Sequence, residues 1–189
     1  MEERQQNLFQ ALVSAQEELT KSGVEYWKMY SGPDTWQFWF IAAMLLGPLA
    51  ALFFLLDRKR IFQIAFFGFA THVLFAYADA YGIRYGLWAY PYQLLPILPS
   101  VSLDAAFIPI AIMLVYQWTL KAKKNFLLYS FLTALAFGFG FKPGLVALGL
   151  FIKYKWVNYP IIFLIYLVLF WLAYGLTRWF ERLHERARD

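Results

Sequence analysis

After residue 34 the chain alternates between long apolar runs and short charged clusters. About 20 apolar residues cross the hydrocarbon of a bilayer as a helix, and every backbone N–H and C=O there must pair within the segment. The pattern therefore predicts an all-α fold, a polytopic membrane helix bundle of about five transmembrane helices plus an N-terminal amphipathic helix. The bundle is expected over 35–178, with spans near 35–56, 61–81, 101–120, 125–141 and 160–177, followed by a charged tail at 179–189. Lys142-Pro143-Gly144 interrupts the fourth run. Proline lacks the helical N–H and clashes with the preceding turn, so a break or sharp kink is expected there. The apolar stretch 144–152 is too short to cross, and either extends the fourth span or forms a re-entrant half-helix.

Residues 1–34 have a different pattern. Leu8, Leu12, Ala15 and Leu19 recur at helical spacing, while Gln5, Ser14, Glu18 and Lys21 fall elsewhere around the wheel. Such a helix lies on a membrane surface, on the bundle or against a partner. The turn Ser31-Gly32-Pro33-Asp34 closes it, and Asp34 is expected to cap the first span. No signal-peptide core precedes the turn, so no cleavage is expected. No internal sequence repeat is visible.

Charge orients the spans. Arg58, Lys59, Arg60, Lys121, Lys123, Lys124, Arg178, Arg182, Arg186 and Arg188 all fall on one side, and they make up ten of the 17 Lys and Arg. By the positive-inside rule that side is cytoplasmic. The first 34 residues carry three bases against six acids, 3 − 6 = −3, and can be translocated. The expectation is a multi-pass protein of the bacterial plasma membrane, with its N-terminus outside and its C-terminus in the cytoplasm.

Composition narrows the chemistry. Of the 189 residues, 61% are hydrophobic and 15% charged, against about a quarter charged in a soluble domain. The net charge of +5 sits beside apolar runs, so it orients spans and no nucleic-acid partner is expected. With no cysteine, disulfides, thiolate catalysis and cysteine-type zinc sites are excluded. Two histidines do not make a histidine-rich metal site. No phosphate-binding loop, dinucleotide turn, nucleophile elbow or zinc-protease motif is present, and no cofactor is expected.

Three ionisable side chains fall within the spans or at their buried ends: His72, Asp79 and Asp104. A charge at mid-bilayer costs roughly 2.5–3.5 kcal/mol on the insertion scale, so such residues are usually functional or paired. His72 and Asp79, seven apart, share a helix face with Gly68 and Ala76, whose small size lets a neighbouring helix approach. Asp79 and Asp104 are expected toward the outer leaflet, near Arg84 and Lys142. Either they form an outward-opening polar pocket, as acid/base or cation-binding groups, or Arg84 and Lys142 neutralise them and lock the helix ends. The connection from Gly82 to Ser100 is nearly uncharged and rich in aromatics, and Pro91, Pro96 and Pro99 bend it. It reads as a cap in the interface, either a lid over a lipid-like ligand or an aromatic anchor. The candidate binding residues are His72, Asp79, Arg84, Trp88, Tyr90, Asp104 and Lys142, and the candidate catalytic residues are Asp79 and Asp104.

Asp79, Gly86-Leu87-Trp88-Ala89-Tyr90-Pro91, Leu98-Pro99, Asp104, Pro109 and Met113-Leu114-Val115-Tyr116-Gln117 form a recurrent pattern. So do Ala136-Phe137, Lys142-Pro143, Leu148-Gly149, Tyr154, Trp156 and Tyr159-Pro160. Over roughly residues 40–180 the chain resembles a family of small multi-pass membrane proteins of spore-forming Gram-positive bacteria, whose function is unknown. That family often carries an acid where Lys142 stands. Asp79, Gly86-Leu87-Trp88, Leu98-Pro99 and Asp104 bear a weaker similarity to the lycopene cyclase domain, which pairs two acids where this chain has Leu103 and Asp104. The resemblance implies an isoprenoid ligand or an isoprenoid-processing enzyme using Asp79 and Asp104. Binding of a membrane lipid or membrane partner near the outer leaflet, without catalysis, ranks ahead of it. A small proton- or cation-coupled transporter ranks third, and a homo-oligomer is compatible with each.

Overall fold

The computed structural model describes residues 2–98 and 100–187. Met1, Pro99, Arg188 and Asp189 lie outside the described residues, and with them one expected bend of the cap and the last two residues of the expected tail. Among the described residues five helices are long and apolar enough to cross a membrane: Trp36–Leu55, Arg58–Arg84, Leu103–Lys121, Phe126–Ala147 and Tyr159–Arg186. The chain is an all-α membrane helix bundle preceded by a helix of different character.

That first helix, α1 (Glu3–Tyr30), buries none of its residues. It meets the rest of the protein at its C-terminal end, where the Trp27 indole donates to the Gln93 carbonyl (2.9 Å) and the Ser31 hydroxyl to that of Pro91 (3.3 Å). The next helix, α2 (Trp36–Leu55), is capped by Thr35, whose hydroxyl accepts from the Phe38 N–H, and not by Asp34 as the turn sequence predicts. An extended Thr35 places its Oγ1 three residues ahead of that N–H. A short basic turn then leads into α3 (Ile61–Arg84).

Two helices carry a π-helical turn directly before a proline. The turn Leu103–Phe107 runs into α4 (Ile108–Lys121), whose second residue is Pro109. The turn Phe137–Phe141 joins α5 (Phe126–Ala136) to α6 (Lys142–Ala147), whose second residue is Pro143. Here the structure departs from the break expected at 142–143. The Lys142 N–H reaches back five residues to the Phe137 carbonyl, and the widened turn takes up the missing proline donor. The fourth span therefore continues to Ala147, and the first residues after Pro143 extend it. The last helix is α7 (Tyr159–Arg186), capped by Asn158.

The core lies where α3, α4, α5 and α7 meet. Phe67, Tyr116, Phe126 and Phe170 are almost fully buried there. The Phe67 and Tyr116 rings lie 4.5 Å apart, and both lean on Phe126. Gly68 leaves the space that the Met113 side chain fills. Around this core an exposed belt that includes Phe53, Phe54, Phe62, Phe69, Val168 and Leu172 offers lipid its natural contact surface. At the end of the bundle that carries the basic turns, the Gln117 amide clamps α2. Its Oε1 accepts from the Asp57 N–H (2.7 Å) and its Nε2 donates to the Leu55 carbonyl (2.9 Å).

The chain from α2 to α6 repeats one plan, although its sequence shows no repeat. Each half descends to a basic turn and returns on a helix that closes with the same hydrogen-bonded cap. In the first, Leu87 N–H bonds Gly82 O (2.8 Å) and Gly86 N–H bonds Ile83 O (2.9 Å). In the second, Leu150 N–H bonds Leu145 O (2.8 Å) and Gly149 N–H bonds Val146 O (3.0 Å). Both caps need a left-handed residue, and Gly86 (φ 61°) and Gly149 (φ 70°) supply it. After the caps the two chains pair antiparallel as β1 (Trp88–Ala89) and β2 (Ile152–Lys153), with Trp88 opposite Lys153 and Ala89 opposite Ile152. This short ribbon roofs the site described next.

Candidate functional site

Asp79 sits on α3 about a turn and a half before its cap, 7% exposed. Its Oδ1 accepts from the Trp88 indole N–H at 2.7 Å and from the Tyr90 hydroxyl at 2.8 Å. The cap makes this possible. It folds the chain back onto α3, and Gly82, one turn beyond Asp79, leaves the space the Trp88 indole occupies. The other oxygen, Oδ2, is buried with no hydrogen-bond partner. Burial, and then the Asp79 carboxylate, push the Tyr90 hydroxyl well above the ordinary tyrosine range, so Tyr90 stays protonated and donates.

Lys142, at the start of α6, is 5% exposed and reaches the same place from the other half of the repeat. Its ammonium donates to the Tyr90 hydroxyl at 3.3 Å and lies 3.8 Å from the Phe151 ring centroid and 5.2 Å from that of Tyr90. Aromatic faces attract a desolvated cation. Tyr90 thus stands between Lys142 and Asp79, touching both.

Asp104 comes from the π-helical turn and is 6% exposed. Its carboxylate accepts from the Ser100 hydroxyl, one turn earlier, at 2.5 Å. Its carbonyl is released by the turn: the Ile108 N–H goes to Leu103, and Pro109 has no N–H to give. His72 Nδ1 takes up that carbonyl at 2.7 Å. A carbonyl only accepts, so Nδ1 carries the proton. His72 therefore positions the Asp104 turn and does not wall the cavity.

Between these groups lies a cavity of about 40 Å³, walled by Asp79, Asp104, Lys142, Tyr90 and Trp88 together with the Phe75, Phe151 and Tyr166 rings and the aliphatic Ile162. A larger apolar groove of about 420 Å³ runs along α3 and α7, past Tyr81, Trp156, Leu164 and Val168. Cavity and groove share Ala78, Trp88 and Ile165 as a common wall. On the far side of Tyr90 a smaller cavity is walled in part by Met44, Ser100 and Ser102, and the buried Ser102 hydroxyl has no partner there.

Of the seven candidate binding residues, Asp79, Trp88, Tyr90, Asp104 and Lys142 converge on the cavity, and His72 supports it from behind. Arg84 does not join them. It lies five residues past Asp79, about 140° around the helix, and is exposed. The expectation that Arg84 and Lys142 neutralise the aspartates fails for Arg84, whereas Lys142 shares the cavity with both acids and meets Asp79 through the Tyr90 hydroxyl, without a direct ion pair; among the described residues the ion pairs are Lys121–Asp57 and Arg178–Glu181. Ser100, Phe151 and Tyr166 were not anticipated. The four-residue spacing of Ser100 and Asp104 is the one signal that pointed to any of them. Among the described residues no set of three or more metal-ligating side chains converges.

The chain matches no protein-family model, and no curated protein or solved structure is significantly similar to it.

Proposed function

We propose that this membrane protein binds a single amphiphilic lipid, its chain along the α3–α7 groove and its polar end at Asp79. One observation carries the reading: the cavity that holds Asp79, Asp104 and the buried Asp79 Oδ2 shares Ala78, Trp88 and Ile165 with an apolar groove along α3 and α7. A buried acceptor left unpaired costs about 1–3 kcal/mol, and a ligand that donates to it recovers that energy on binding. The basic turns support a cytoplasmic face opposite the ribbon, which puts the polar end near the outer leaflet of a bacterial plasma membrane. On Gly86-Leu87-Trp88 and Leu98-Pro99 we propose a place for the chain beside the small multi-pass proteins of spore-forming Gram-positive bacteria, with Lys142 as a departure from their pattern.

The test is lipid extraction from the purified protein followed by mass spectrometry, compared with Ala78→Phe. The wild type should yield one lipid species at near-stoichiometric amount. Ala78→Phe, which thickens the shared wall without touching a polar group, should lose it while still melting at a similar temperature. Equal lipid content in both proteins would refute the groove as the route.

A second reading is isoprenoid processing, favoured by two carboxyl groups and several aromatic faces around one cavity. A carbocation would need those faces free. The Lys142 ammonium already occupies that of Phe151, which weighs for binding over catalysis.

A further inference from the structure

Resting on the lipid-binding reading, we propose that Lys142 forms a Schiff base with a long-chain aldehyde that enters through the α3–α7 groove. Among the described residues Lys142 is the one buried lysine, and it makes no direct ion pair. Its ammonium rests on the Phe151 ring, 3.8 Å from the centroid, and donates to the Tyr90 hydroxyl at 3.3 Å. That hydroxyl in turn donates to Asp79 Oδ1 at 2.8 Å. The three groups form a proton wire: Tyr90 passes its proton to Asp79 and takes one from Lys142. The transfer replaces a buried ammonium and a buried carboxylate by an amine and a carboxylic acid, which a low-dielectric site favours. A desolvated lysine freed of its proton is a nucleophile for a carbonyl carbon.

The reaction balances within the cavity. The Lys142 nitrogen attacks the aldehyde carbon, an electron pair of the C=O bond moves to oxygen, and one amine proton follows it to give a carbinolamine. The C–O bond then breaks as the nitrogen lone pair forms the C=N bond, and the proton held by Asp79 leaves with the hydroxyl as water. The product is a protonated imine opposite the restored Asp79 carboxylate. No oxidant or reductant is involved, and no step draws on the charge of Asp104, which lines the same cavity. The positive charge stays on the same nitrogen, beside the aromatic face that already holds the ammonium. A cavity of about 40 Å³ has room for a carbonyl end and little more. The single carbon chain of an aldehyde then lies in the apolar groove, which shares Ala78, Trp88 and Ile165 with the cavity. A ketone brings a second chain, and an alcohol gives the nitrogen nothing to attack.

The test uses the full-length protein in nanodiscs of phosphatidylcholine, incubated at neutral pH with increasing decanal and then reduced with borohydride, which fixes an imine as a stable amine. Peptide mass spectrometry locates the decyl group. Lys142 should be labelled at a roughly tenfold lower decanal concentration than the exposed Lys59 and Lys124, because the groove buries the carbon chain and the surface does not. Excess decanol should protect Lys142 and leave the exposed lysines unprotected. Asp79→Asn, which keeps an acceptor for Trp88 and Tyr90 but cannot take the proton, should slow labelling of Lys142 roughly a hundredfold and leave that of Lys59 as it is. An unchanged rate in that variant would overturn Asp79 as the proton acceptor. The wild-type peptide map decides the matter even if the variant does not fold. Labelling of Lys142 no earlier than the exposed lysines would overturn the Schiff base, and the lipid-binding reading would stand if a lipid is still extracted at near-stoichiometric amount. Neither early labelling of Lys142 nor an extracted lipid would overturn both together.

Discussion

Asp79 and Lys142 occupy the same place in the two halves of the repeat: each stands seven residues before the left-handed glycine, Gly86 or Gly149, that closes its helix. The paired strands then bring the two closures together, so an acid and a base from equivalent positions meet under one roof. Their meeting is indirect, through the Tyr90 hydroxyl. The site is thus built at the seam of a duplicated plan whose two copies differ at the residue that matters.

Asp79 separates fold from binding. Asparagine can keep Oδ1 and both of its donors, so Asp79→Asn should melt within a few degrees of the wild type. Alanine strands the Trp88 N–H and the Tyr90 hydroxyl, each at about 1–3 kcal/mol. Thermal unfolding in one detergent should rank wild type and Asp79→Asn together, well above Asp79→Ala. A sharp drop for the asparagine would mean that the negative charge itself holds the bundle.

Gly82 is the space on which Trp88 depends. A Cβ there meets the indole, and overpacking typically costs about 1–3 kcal/mol. Gly82→Ala should therefore lower the melting temperature and reduce bound lipid. Gly140, with open space around its Cα, should accept alanine without either effect. Equal behaviour of the two variants would argue against the indole contact.

Alkaline pH should weaken the protein through Tyr90. Its hydroxyl titrates well above the ordinary value in the fold, and at about 10 once unfolded. The unfolded chain then releases the proton first, so this contribution is complete below about pH 10 and is lost as pH rises beyond it. Melting between pH 8 and 11 should fall, and the fall should be smaller in Tyr90→Phe. An identical slope in both proteins would place the alkaline sensitivity elsewhere.

Orientation rests on the basic turns and can be tested directly. A cysteine at Ser14 should react with an impermeant thiol reagent on intact cells, and one at Ala122 should not. The reverse labelling would put the ribbon and its cavity on the cytoplasmic side.

Much of this architecture was legible in the sequence, because lipid enforces long apolar runs and makes a buried acid conspicuous. Asp79 and Asp104 stood out for that reason, and Trp88 and Tyr90 did so as aromatics in an uncharged connection. Lys142 was read as lying at an outer boundary, since Pro143 signals a helix end. A π-helical turn absorbs the missing donor, and that lies in hydrogen-bond geometry, not in residue type. Nearness along the chain suggests Arg84 as a partner for Asp79, but the turn of the helix between them carries it to another face. The repeat is not visible in the sequence because its two copies share little beyond a Gly-Leu-aromatic cap; lipid-facing positions constrain hydrophobicity far more than identity.

The first helix has a mechanical meaning. Twenty-eight residues of α-helix make a rod about 42 Å long, and its hydrogen bonds to the rest of the molecule come from Trp27 and from Ser31 just beyond its end. Both bonds land on the stretch Pro91–Gln93, immediately after Tyr90, whose hydroxyl touches the acid and the base of the cavity. A rod gripped at one end and bare along its apolar stripe works as a lever. Force on its free length would be delivered to Pro91–Gln93, directly after the residue whose hydroxyl touches both Asp79 and Lys142.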